Sequence, residues 1–476
     1  MSKSYDVVVI GGGPGGYVAA IRAAQNGLKA ACVDNWQNRD GKHAFGGCCL
    51  NAGCIPSKAM LESSELYHRA GHEFATHGIK VNKPELDLAA MQQRKGRIVK
   101  QFTGGIAQLF KGNKVDGISG TARVLKDGNV EVTPLDGGKA EVLEAKNVII
   151  ATGSTPVELP FAKFDHERIV DSWDALDFDE VPKRLGVIGA GVIGLEMGSV
   201  WSRLGSEVTM LEAADDFLWM ADQQVAKEAR KQFKKQGLEI QTGAKVTDAK
   251  VKGKEVELTY ETKDGEQKIT VDKLLVSVGR RPYTDGLFAD GAKVDLDDRG
   301  FIKVDEHNRT SMKNVYAVGD CAPGLMLAHK ASEEGVFVAD IIAGKTAEMN
   351  HDTIPSIIYT APEVAWVGRT EEQLKKDKIP YKTGSFGFAA NGRAQAMEQA
   401  HGMVKMLAHK ETDEILGVHI VGPMASELIA EAVTAMEFRA SAEDIQLTIH
   451  AHPALGEVIH EAALAVDNKA LHGVNR

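Results

Sequence analysis

Two copies of one glycine-rich segment constrain the fold of this 476-residue chain more than any other feature. The first copy, YDVVVIGGGPGGYVAAIRAAQNGLKAACVD, has the pattern of a buried strand, a glycine turn, a helix and a second strand. The second copy, KRLGVIGAGVIGLEMGSVWSRLGSEVTMLE, repeats this βαβ pattern at a constant offset of 178 residues. The matching positions are Gly11, Gly13, Gly16, Gly27 and Asp34 in the first copy and Gly189, Gly191, Gly194, Gly205 and Glu212 in the second.

The spacing of these glycines predicts two dinucleotide-binding sites. In a G-x-G-x-x-G segment the first glycine makes a tight turn, the second lets the backbone approach a pyrophosphate, and the third lets the helix pack closely on the strand. The N-terminus of the helix then faces the phosphates. One such segment alone is weak support, but both copies also have the preceding strand, the following helix and an acidic residue 18 positions after the third glycine. We therefore expect two Rossmann-like domains.

Shorter similarities extend the duplication. The segments that end near Gly153 and Gly279, KNVIIATGS and DKLLVSVGR, each have the pattern of an apolar strand that runs into a glycine turn. The segment NVYAVGD has the pattern of a further strand that stops at Asp320. We interpret these strands as closing the two nucleotide domains.

The repeats also set the expected domain boundaries. After residue 350 no glycine fingerprint recurs, and alternating strands and amphipathic helices predict a separate α+β domain. The expected fold class is therefore α/β, with two Rossmann-like dinucleotide-binding domains and a C-terminal α+β domain. The expected parts are a first nucleotide domain over 1–150, a second over 151–280, a return to the first over 281–350, and the C-terminal domain over 351–476.

Charge and hydropathy exclude several classes of protein. The formal net charge of −10 argues against a nucleic-acid partner, because proteins that bind nucleic acids present basic stripes. The sequence has no apolar run of about 18 residues, so we expect no membrane span. Near the N-terminus an early acidic residue and a glycine turn stand where a signal peptide would continue its apolar region. We expect a cytoplasmic protein of bacterial type without a targeting segment.

Three of the five cysteines cluster within seven residues, at Cys48, Cys49 and Cys54. Five cysteines in a chain of this length are too few for a secreted disulfide scaffold, so the cluster indicates catalysis or metal binding. A zinc site needs two paired clusters of cysteine or histidine, and no second cluster lies nearby in the sequence. We therefore favour redox catalysis and expect no metal.

The residues around Cys54 explain how its thiol could be activated. Pro56 is a helix-start signal, which places Cys54 near the positive end of a helix, where a thiolate is stabilised. In a continuous helix the α-carbons of Cys49 and Cys54 would lie about 7.5 Å apart, beyond the usual disulfide limit of about 7 Å. The chain must therefore bend before the helix starts, and Gly53 could supply the bend. Spacing alone leaves a Cys48 to Cys54 bridge open.

Thiol chemistry also needs a base that works near neutral pH, which favours histidine. His452 precedes Pro453, a helix-start signal, and Glu457 follows where it could orient the imidazole. His450 and His460 are rival candidates on the sequence alone.

Taken together, GGCCLNAGCIPSK, the two fingerprints, AVGDCAPGLMLAHKASEEG and the terminal HPALGE resemble the pyridine nucleotide–disulfide oxidoreductases, and among them the dihydrolipoamide dehydrogenases. The resemblance runs from about residue 5 to the C-terminus, with independent motifs in the right order. It implies oxidation of protein-bound dihydrolipoamide, with electrons that pass through a Cys49–Cys54 disulfide and FAD to NAD.

The resemblance also implies the roles of individual residues. Cys54 would face the flavin while Cys49 exchanges with dihydrolipoamide. His452, held by Glu457, would take the substrate proton. In the family this histidine comes from the other subunit of a homodimer. The second fingerprint would hold NAD. The implied cofactor-binding residues are Gly11, Gly13, Gly16, Asp34, Lys58, Gly153, Gly189, Gly191, Gly194, Glu196, Glu212, Gly279, Asp320 and Ala328. Implied partners are a lipoyl-bearing acyltransferase core of a 2-oxo acid dehydrogenase complex or a lipoyl carrier protein.

The choice of nucleotide has support that is independent of the resemblance. Glu212, at the end of the second βαβ strand, suits a ribose 2′-hydroxyl and would repel the 2′-phosphate of NADP. No arginine follows it in EAADDFLWMAD to bind that phosphate.

Two positions depart from the family pattern, and two rival functions remain. Cys48 stands where relatives usually carry threonine, and Gly456 stands where they usually carry serine or threonine. A third thiol beside the pair could trap an alternative disulfide. The rivals are a related FAD-dependent disulfide reductase with another substrate and a flavin-bearing subunit whose disulfide senses redox state.

Overall fold

The computed structural model describes residues 3–475. Met1, Ser2 and Arg476, at the ends of the first and last expected domains, lie outside the described residues. The helices are α1 (Pro14–Gln25), α2 (Gly47–Ala52), α3 (Cys54–His72), α4 (Leu88–Asn113), α5 (Ser172–Leu176), α6 (Val192–Leu204), α7 (Gln223–Lys235), α8 (Ala328–Ile342), α9 (Glu371–Asp377), α10 (Gly392–Ala396), α11 (Ala425–Glu437), α12 (Ala442–Leu447) and α13 (Glu457–Val466).

Within residues 3–475 the strands form five sheets. They are β1 (Lys3–Ile10), β2 (Ala30–Asp34), β3 (Asp116–Val124), β4 (Val130–Pro134), β5 (Glu141–Ile150), β6 (Ser154–Pro156), β7 (Ile169–Val170), β8 (Arg184–Ile188), β9 (Glu207–Glu212), β10 (Glu239–Thr242), β11 (Lys245–Lys252), β12 (Glu255–Thr262), β13 (Gly265–Val271), β14 (Lys273–Val276), β15 (Arg280–Pro282), β16 (Val315–Ala317), β17 (Ser356–Ile358), β18 (Glu363–Gly368), β19 (Tyr381–Gly387), β20 (Met403–His409) and β21 (Ile415–Gly422).

The chain divides into two compact units, each made of three segments. Unit 1 comprises Met1–Met60, Asp87–Val157 and Gly279–Met349. Unit 2 comprises Leu61–Leu86, Glu158–Val278 and Asn350–Arg476. The second fingerprint and the C-terminal segment thus belong to one contact unit.

Unit 1 is built around the first βαβ segment. β1 pairs in parallel with β2 and β5, β2 with β3, and β5 with β16, while β4 joins the same sheet in antiparallel pairing. All residues of β2 are buried, as expected of a parallel strand covered on both faces. Helix α1 starts at a proline and buries a face of glycine and alanine, which lets it lie close to its neighbour α8.

Unit 2 contains a second parallel sheet around the second βαβ segment, with the strand order β10-β9-β8-β14-β7. An antiparallel meander of β11, β12 and β13 also belongs to this unit. The segments that end near Gly153 and Gly279 contain the predicted strands, which are β5 and β14. Each of them pairs in parallel with the first strand of its βαβ unit. The predicted α/β class is therefore confirmed for both nucleotide-type sheets.

The C-terminal part of unit 2 is an antiparallel sheet with the order β17-β18-β21-β20-β19. Helices α11 and α13 pack on this sheet and bury aliphatic side chains together with Phe388 in one core. This is the α+β arrangement that the sequence predicted. Among the described residues, no helix is long and apolar enough to cross a membrane.

Candidate active site

The three glycines of each fingerprint have the separate steric roles that their spacing predicts. Gly11 has φ +105° and Gly189 has φ +96°, in the region that favours glycine. A Cβ at Gly16 would lie 1.8 Å from the Gly11 carbonyl oxygen, and a Cβ at Gly194 would lie 2.1 Å from the Gly189 carbonyl oxygen. Any side chain at these third positions would push the helix away from the strand.

The middle glycines leave open space above the backbone. A Cβ at Gly191 would meet no described heavy atom within 4 Å, and at Gly13 the nearest atom would be the Gly47 Cα at 3.8 Å. Helices α1 and α6 begin directly after these residues, so their N-terminal N–H groups face the same space. Both loops therefore fit the pyrophosphate of a dinucleotide, with FAD and NAD as the groups that the paired fingerprints suit.

The acidic residue of each βαβ unit is bound to its own fingerprint. Oδ2 of Asp34 accepts a hydrogen bond of 2.6 Å from the Gly12 N–H, and Oε2 of Glu212 accepts one of 2.9 Å from the Ala190 N–H. In both copies the other carboxylate oxygen accepts a hydrogen bond of 2.9 Å from the N–H two residues further on. Each acid is thus fixed at the end of its strand, where a ribose would lie.

The redox pair sits where two helices meet. Helix α2 ends at Ala52 and α3 begins at Cys54, so the chain bends at Gly53 as expected. The bend brings the α-carbons of Cys49 and Cys54 to 4.7 Å, and the two residues form a disulfide. Cys48 is outside this bond.

The predicted start of the helix that carries Cys54 was wrong by two residues. We expected α3 to begin at Pro56, but it begins two residues earlier, at Cys54. The Ser57 N–H already donates to the Gly53 carbonyl at 3.0 Å, so Pro56 lies inside the first turn, where no N–H is needed. The sulfur of Cys54 therefore lies at the positive end of α3, which favours its thiolate on reduction.

The cysteines outside the cluster are inert by comparison. Burial raises the pKa of the Cys32 thiol well above its usual value, and burial raises the pKa of Cys321 to about 11. Neither thiol is suited to exchange near neutral pH.

A hydrogen-bonded group next to the cluster was missed by the sequence analysis. The Ser154 hydroxyl donates to Oδ2 of Asp320 at 2.5 Å, and Nε of Arg280 donates to the Ser154 hydroxyl at 2.7 Å. Nη2 of Arg280 donates to the Ser154 carbonyl at 2.7 Å and to the Cys48 sulfur at 3.6 Å. One guanidinium thus connects Cys48, Ser154 and Asp320.

A signal for this group was present in the sequence. Ser154 directly follows Gly153 and Arg280 directly follows Gly279, the glycines of the turns after β5 and β14. Short strands that start at Ser154 and Arg280 pair with each other in antiparallel fashion. The duplication could therefore have pointed to these side chains.

Two further predicted cofactor residues, Asp320 and Ala328, lie where one element ends or another begins. Asp320 lies in the 3-10 turn Gly319–Cys321 that follows β16, and Ala328 is the first residue of α8. The turn is held by the Gly319 N–H, which donates to Glu334 at 2.7 Å.

Lys58 and Glu196 belong to different units. Lys58 lies on α3 and is partly buried. Glu196 lies on α6, is 4% exposed, and accepts a hydrogen bond of 3.0 Å from the Tyr359 N–H.

The histidine candidates differ in their partners. Nδ1 of His452 lies 2.8 Å from Oε1 of Glu457, and 79% of the His452 side chain is exposed. The rival His450 is held by Glu431, with its Nε2 2.7 Å from Oε1, and its ring stacks on His460 at a centroid distance of 4.8 Å. Among the three, His452 alone combines a carboxylate partner with an open ring.

The helix start near His452 was predicted wrongly. We expected a helix from Pro453, but α13 begins at Glu457. The Ala454 N–H donates to Oε2 of Glu457 at 2.9 Å, so the residues before the helix form a turn closed by that side chain. Burial opposes ionisation of Glu457, yet this N–H and His452 hold the pKa of the carboxyl below its usual value.

Comparison with known proteins agrees with this geometry. The family model of pyridine nucleotide-disulphide oxidoreductase matches residues 5–335, and the model of the dimerisation domain of the same family matches residues 354–463. The dihydrolipoyl dehydrogenase of Cupriavidus necator is 52% identical over 475 residues, which cover 99% of this chain and 100% of that protein.

More distant relatives span the same length. The mitochondrial dihydrolipoyl dehydrogenase 2 of Arabidopsis thaliana is 49% identical over 99% of this chain and 92% of its own. The crystal structure of LpdA from Mycobacterium tuberculosis is similar with a TM-score of 0.88 and 27% identity, over 97% of this chain and 99% of that chain. With its two fingerprints, its bridged cysteine pair and these full-length matches, the chain belongs to the pyridine nucleotide-disulphide oxidoreductase family.

Proposed function

We propose that the protein is an FAD-dependent, NAD-linked dihydrolipoyl dehydrogenase. The observation that carries the proposal is the disulfide between Cys49 and Cys54, which joins two helices within the unit that contains the first fingerprint. Relatives named for this activity match the chain at about half identity over nearly its full length.

The reaction at the cysteine pair is a thiol–disulfide exchange. One thiolate of dihydrolipoamide attacks the Cys49 sulfur, a mixed disulfide forms, and Cys54 leaves as a thiolate. The second thiol of the substrate then attacks the substrate sulfur that is bonded to Cys49. This closes the disulfide of lipoamide and releases Cys49 as a thiolate. Two electrons thereby pass from the substrate to the protein dithiol.

His452 is the residue proposed to manage the protons. If Nδ1 carries the hydrogen that faces Glu457, Nε2 is left as an acceptor on an exposed ring. This nitrogen can accept the proton of the first substrate thiol, release it to solvent from the exposed ring, and then accept the proton of the second, and the ionised Glu457 stabilises the imidazolium that forms each time.

Two nucleotide sites complete the proposal. FAD, when bound at the first fingerprint, supplies the two-electron relay between the dithiol and the nicotinamide of NAD. Gly13, Asp34 and Asp320 would contact FAD from unit 1. Gly191 and Glu212 would hold NAD from unit 2, and the carboxylate of Glu212 disfavours the extra phosphate of NADP.

The dimerisation domain makes the protein a homodimer, and we propose that His452 acts on the cysteine pair of the other subunit. Support comes from large exposed apolar side chains in the C-terminal segment, which a monomer would leave in water. They include Phe438, Leu447, Ile449, Leu471 and Val474.

Further proposals concern partners, location and domain limits. We propose a lipoyl-bearing acyltransferase core or a lipoyl carrier protein as the partner, since dihydrolipoamide is carried on such proteins. A bacterial cytoplasmic location is supported by the bacterial relative at 52% identity. We also retain as a proposal the division into 1–150, 151–280, 281–350 and 351–476.

The test is an anaerobic titration of the FAD-containing enzyme with dihydrolipoamide, followed by NAD or, in parallel, NADP. We expect the dithiol to produce a long-wavelength visible band, and NAD but not NADP to remove it. Cys49→Ser should abolish lipoamide turnover, while Cys48→Ser should retain it. If dihydrolipoamide causes no spectral change and NADPH reduces the enzyme instead, this function is rejected in favour of a reductase for another disulfide.

A further inference from the structure

Unit 2 contains a cavity of about 400 Å³ outside both nucleotide fingerprints. It lies between the C-terminal half of α3 and the C-terminal end of α6, and Glu65, His68, Ser199 and Arg203 line it. Its size falls within the range of roughly 300–1,000 Å³ that small-molecule sites occupy.

Two buried donors in this cavity lack hydrogen bonds. The Arg203 side chain is 6% exposed and Ser199 is 2% exposed. Among the described residues, neither Nη2 of Arg203 nor the Ser199 hydroxyl has a hydrogen-bond partner. The two residues are four positions apart on α6 and so share one face of the helix. Buried donors without partners are rare because each loses its hydration, so the pair indicates an acceptor that occupies the cavity.

The one ionic partner of Arg203 is poorly placed among the described residues. Nη2 of Arg203 lies 3.0 Å from Oε2 of Glu65, but the contact lacks hydrogen-bond geometry. Burial raises the pKa of Glu65 above its usual value, although Arg203 opposes this. Burial likewise lowers the pKa of Arg203, although Glu65 opposes this. The carboxylate is therefore costly to keep ionised, and a better acceptor could replace it.

Two imidazoles also line the same cavity. The rings of His68 and His72 stack at a centroid distance of 4.3 Å. Burial, His72 and Arg203 lower the pKa of His68, so its ring is uncharged at neutral pH. Glu73 also lines the cavity, and its carboxylate is bound by Arg69 at 2.7 Å while its charge adds to that of Glu65 in opposing the lowered pKa of Arg203.

We propose that this cavity binds a small organic molecule through an oxyanion group, a carboxylate or a phosphate, that accepts hydrogen bonds from Arg203 and Ser199 and displaces Glu65. The planar guanidinium suits either group. Helix α6 connects the cavity to the second fingerprint, since it begins after Gly191 and carries Arg203 in its last turn. Among the described residues, the lining of the cavity includes neither the redox pair nor a fingerprint glycine.

Displacement of Glu65 couples binding to pH. The charged or titratable groups around the pair are Glu62, Tyr67, His68, Arg69, His72 and Glu73. As pH falls, Glu65 takes up a proton and releases Arg203, and at still lower pH protonation of His68 adds positive charge. Both effects strengthen the binding of an anion at lower pH.

The test is calorimetric titration of the FAD-containing enzyme, saturated with NAD so that the fingerprints are filled, with benzoate and with phenyl phosphate. We expect one saturable site per chain, with the tighter probe identifying carboxylate or phosphate as the preferred group. Arg203→Met should weaken binding by about tenfold or more, as the loss of a hydrogen bond to a charged group predicts.

Two further variants make the result decisive even if Arg203→Met folds poorly. Glu65→Gln removes the competing carboxylate, so it should tighten binding by at least about threefold and reduce the gain on going to lower pH. Arg393→Met removes an exposed arginine elsewhere in unit 2 and should leave affinity unchanged. Absence of saturable binding up to roughly 10 mM, or a Glu65→Gln variant that binds more weakly than the wild type, would overturn the proposal.

Discussion

Nδ1 of His452 lies 2.8 Å from Oε1 of Glu457, and Oε2 of the same carboxylate accepts the Ala454 N–H at 2.9 Å. One side chain therefore closes the turn before α13 and orients the imidazole at the same time. The arrangement leaves Nε2 of His452 directed away from its partner, on a ring that is mostly exposed. This exposed nitrogen fits the proposed role of His452 as a base for the substrate of the other subunit.

The first prediction separates His452 from its neighbour. His452→Gln should lower kcat for lipoamide oxidation by about 10²- to 10⁴-fold, the usual contribution of a general base. His450→Gln removes an imidazole that also has a carboxylate partner, and it should cost less than about tenfold. Steady-state assays with dihydrolipoamide and NAD measure both. An equal decrease in kcat in the two variants would show that His452 is not the base.

The second prediction concerns Glu457, the carboxylate that binds the proposed base His452. The pKa of Glu457 is held below its usual value, so this group is ionised at neutral pH. Glu457→Gln keeps the shape but loses the charge that stabilises the imidazolium, and we expect kcat to fall by about tenfold or more. Glu461→Gln alters a similar pair, since Nδ1 of His472 lies 2.7 Å from Oε1 of Glu461 on the same helix. This control should change kcat little, provided that both variants remain folded by circular dichroism.

The third prediction tests the guanidinium that the sequence analysis missed. Arg280→Met removes the donors that hold Ser154, and through it Asp320, so the enzyme should release FAD at least about tenfold more readily. Arg281→Met is the matched control, because that side chain is exposed and pairs with Asp285. Equilibrium dialysis of FAD with each variant gives the two dissociation constants. A similar affinity in both would show that Arg280 does not support the cofactor.

The parts of the fold that could be predicted are those encoded in local sterics. Gly11 and Gly16 are needed because a Cβ would collide or strain the backbone, and the same holds at Gly189 and Gly194. Such requirements are visible in one short segment, so both βαβ units were placed correctly. The bend at Gly53 followed from the reach of a disulfide, which is also a local constraint.

The parts that could not be predicted depend on contacts between distant residues. Arg280 contacts Ser154 across 126 positions in the sequence, and although the repeated glycines mark both positions, no periodicity shows that the two side chains bond to each other. The start of α13 was misplaced because a proline was weighed as a helix signal, whereas a side-chain hydrogen bond from Glu457 shapes the turn. The cavity beside Arg203 is similar, since α3 and α6 meet there only in the folded chain.

The fourth prediction concerns a buried ion cluster in unit 2. Nζ of Lys405 lies 2.8 Å from Asp222 and 2.6 Å from Glu371, and the Lys405 and Asp222 side chains are at most 1% exposed. Lys405→Met leaves a buried carboxylate without its cation, so the free energy of unfolding at neutral pH should fall by about 3–5 kcal/mol. Lys375→Met removes a mostly exposed lysine from the same Glu371 and should cost less than about 1 kcal/mol.

Because of this cluster, the difference in the free energy of unfolding between Lys405→Met and the wild type should depend on pH. Burial opposes ionisation, but Lys375, Lys405 and Tyr381 lower the pKa of Glu371 to about 2, and Lys405 helps to hold the pKa of the buried Asp222 below its usual value of 3.8. Because these values are lower in the folded state, the stabilisation is complete above the ordinary glutamate value of 4.5 and is lost as pH falls toward 2. Urea unfolding followed by circular dichroism should therefore show a gap in the free energy of unfolding between the wild type and Lys405→Met. This gap should be widest near pH 7 and should narrow below about pH 4.5. A gap that stays constant into acid would mean that packing of the Lys405 stem, rather than its charge, stabilises this part of the protein.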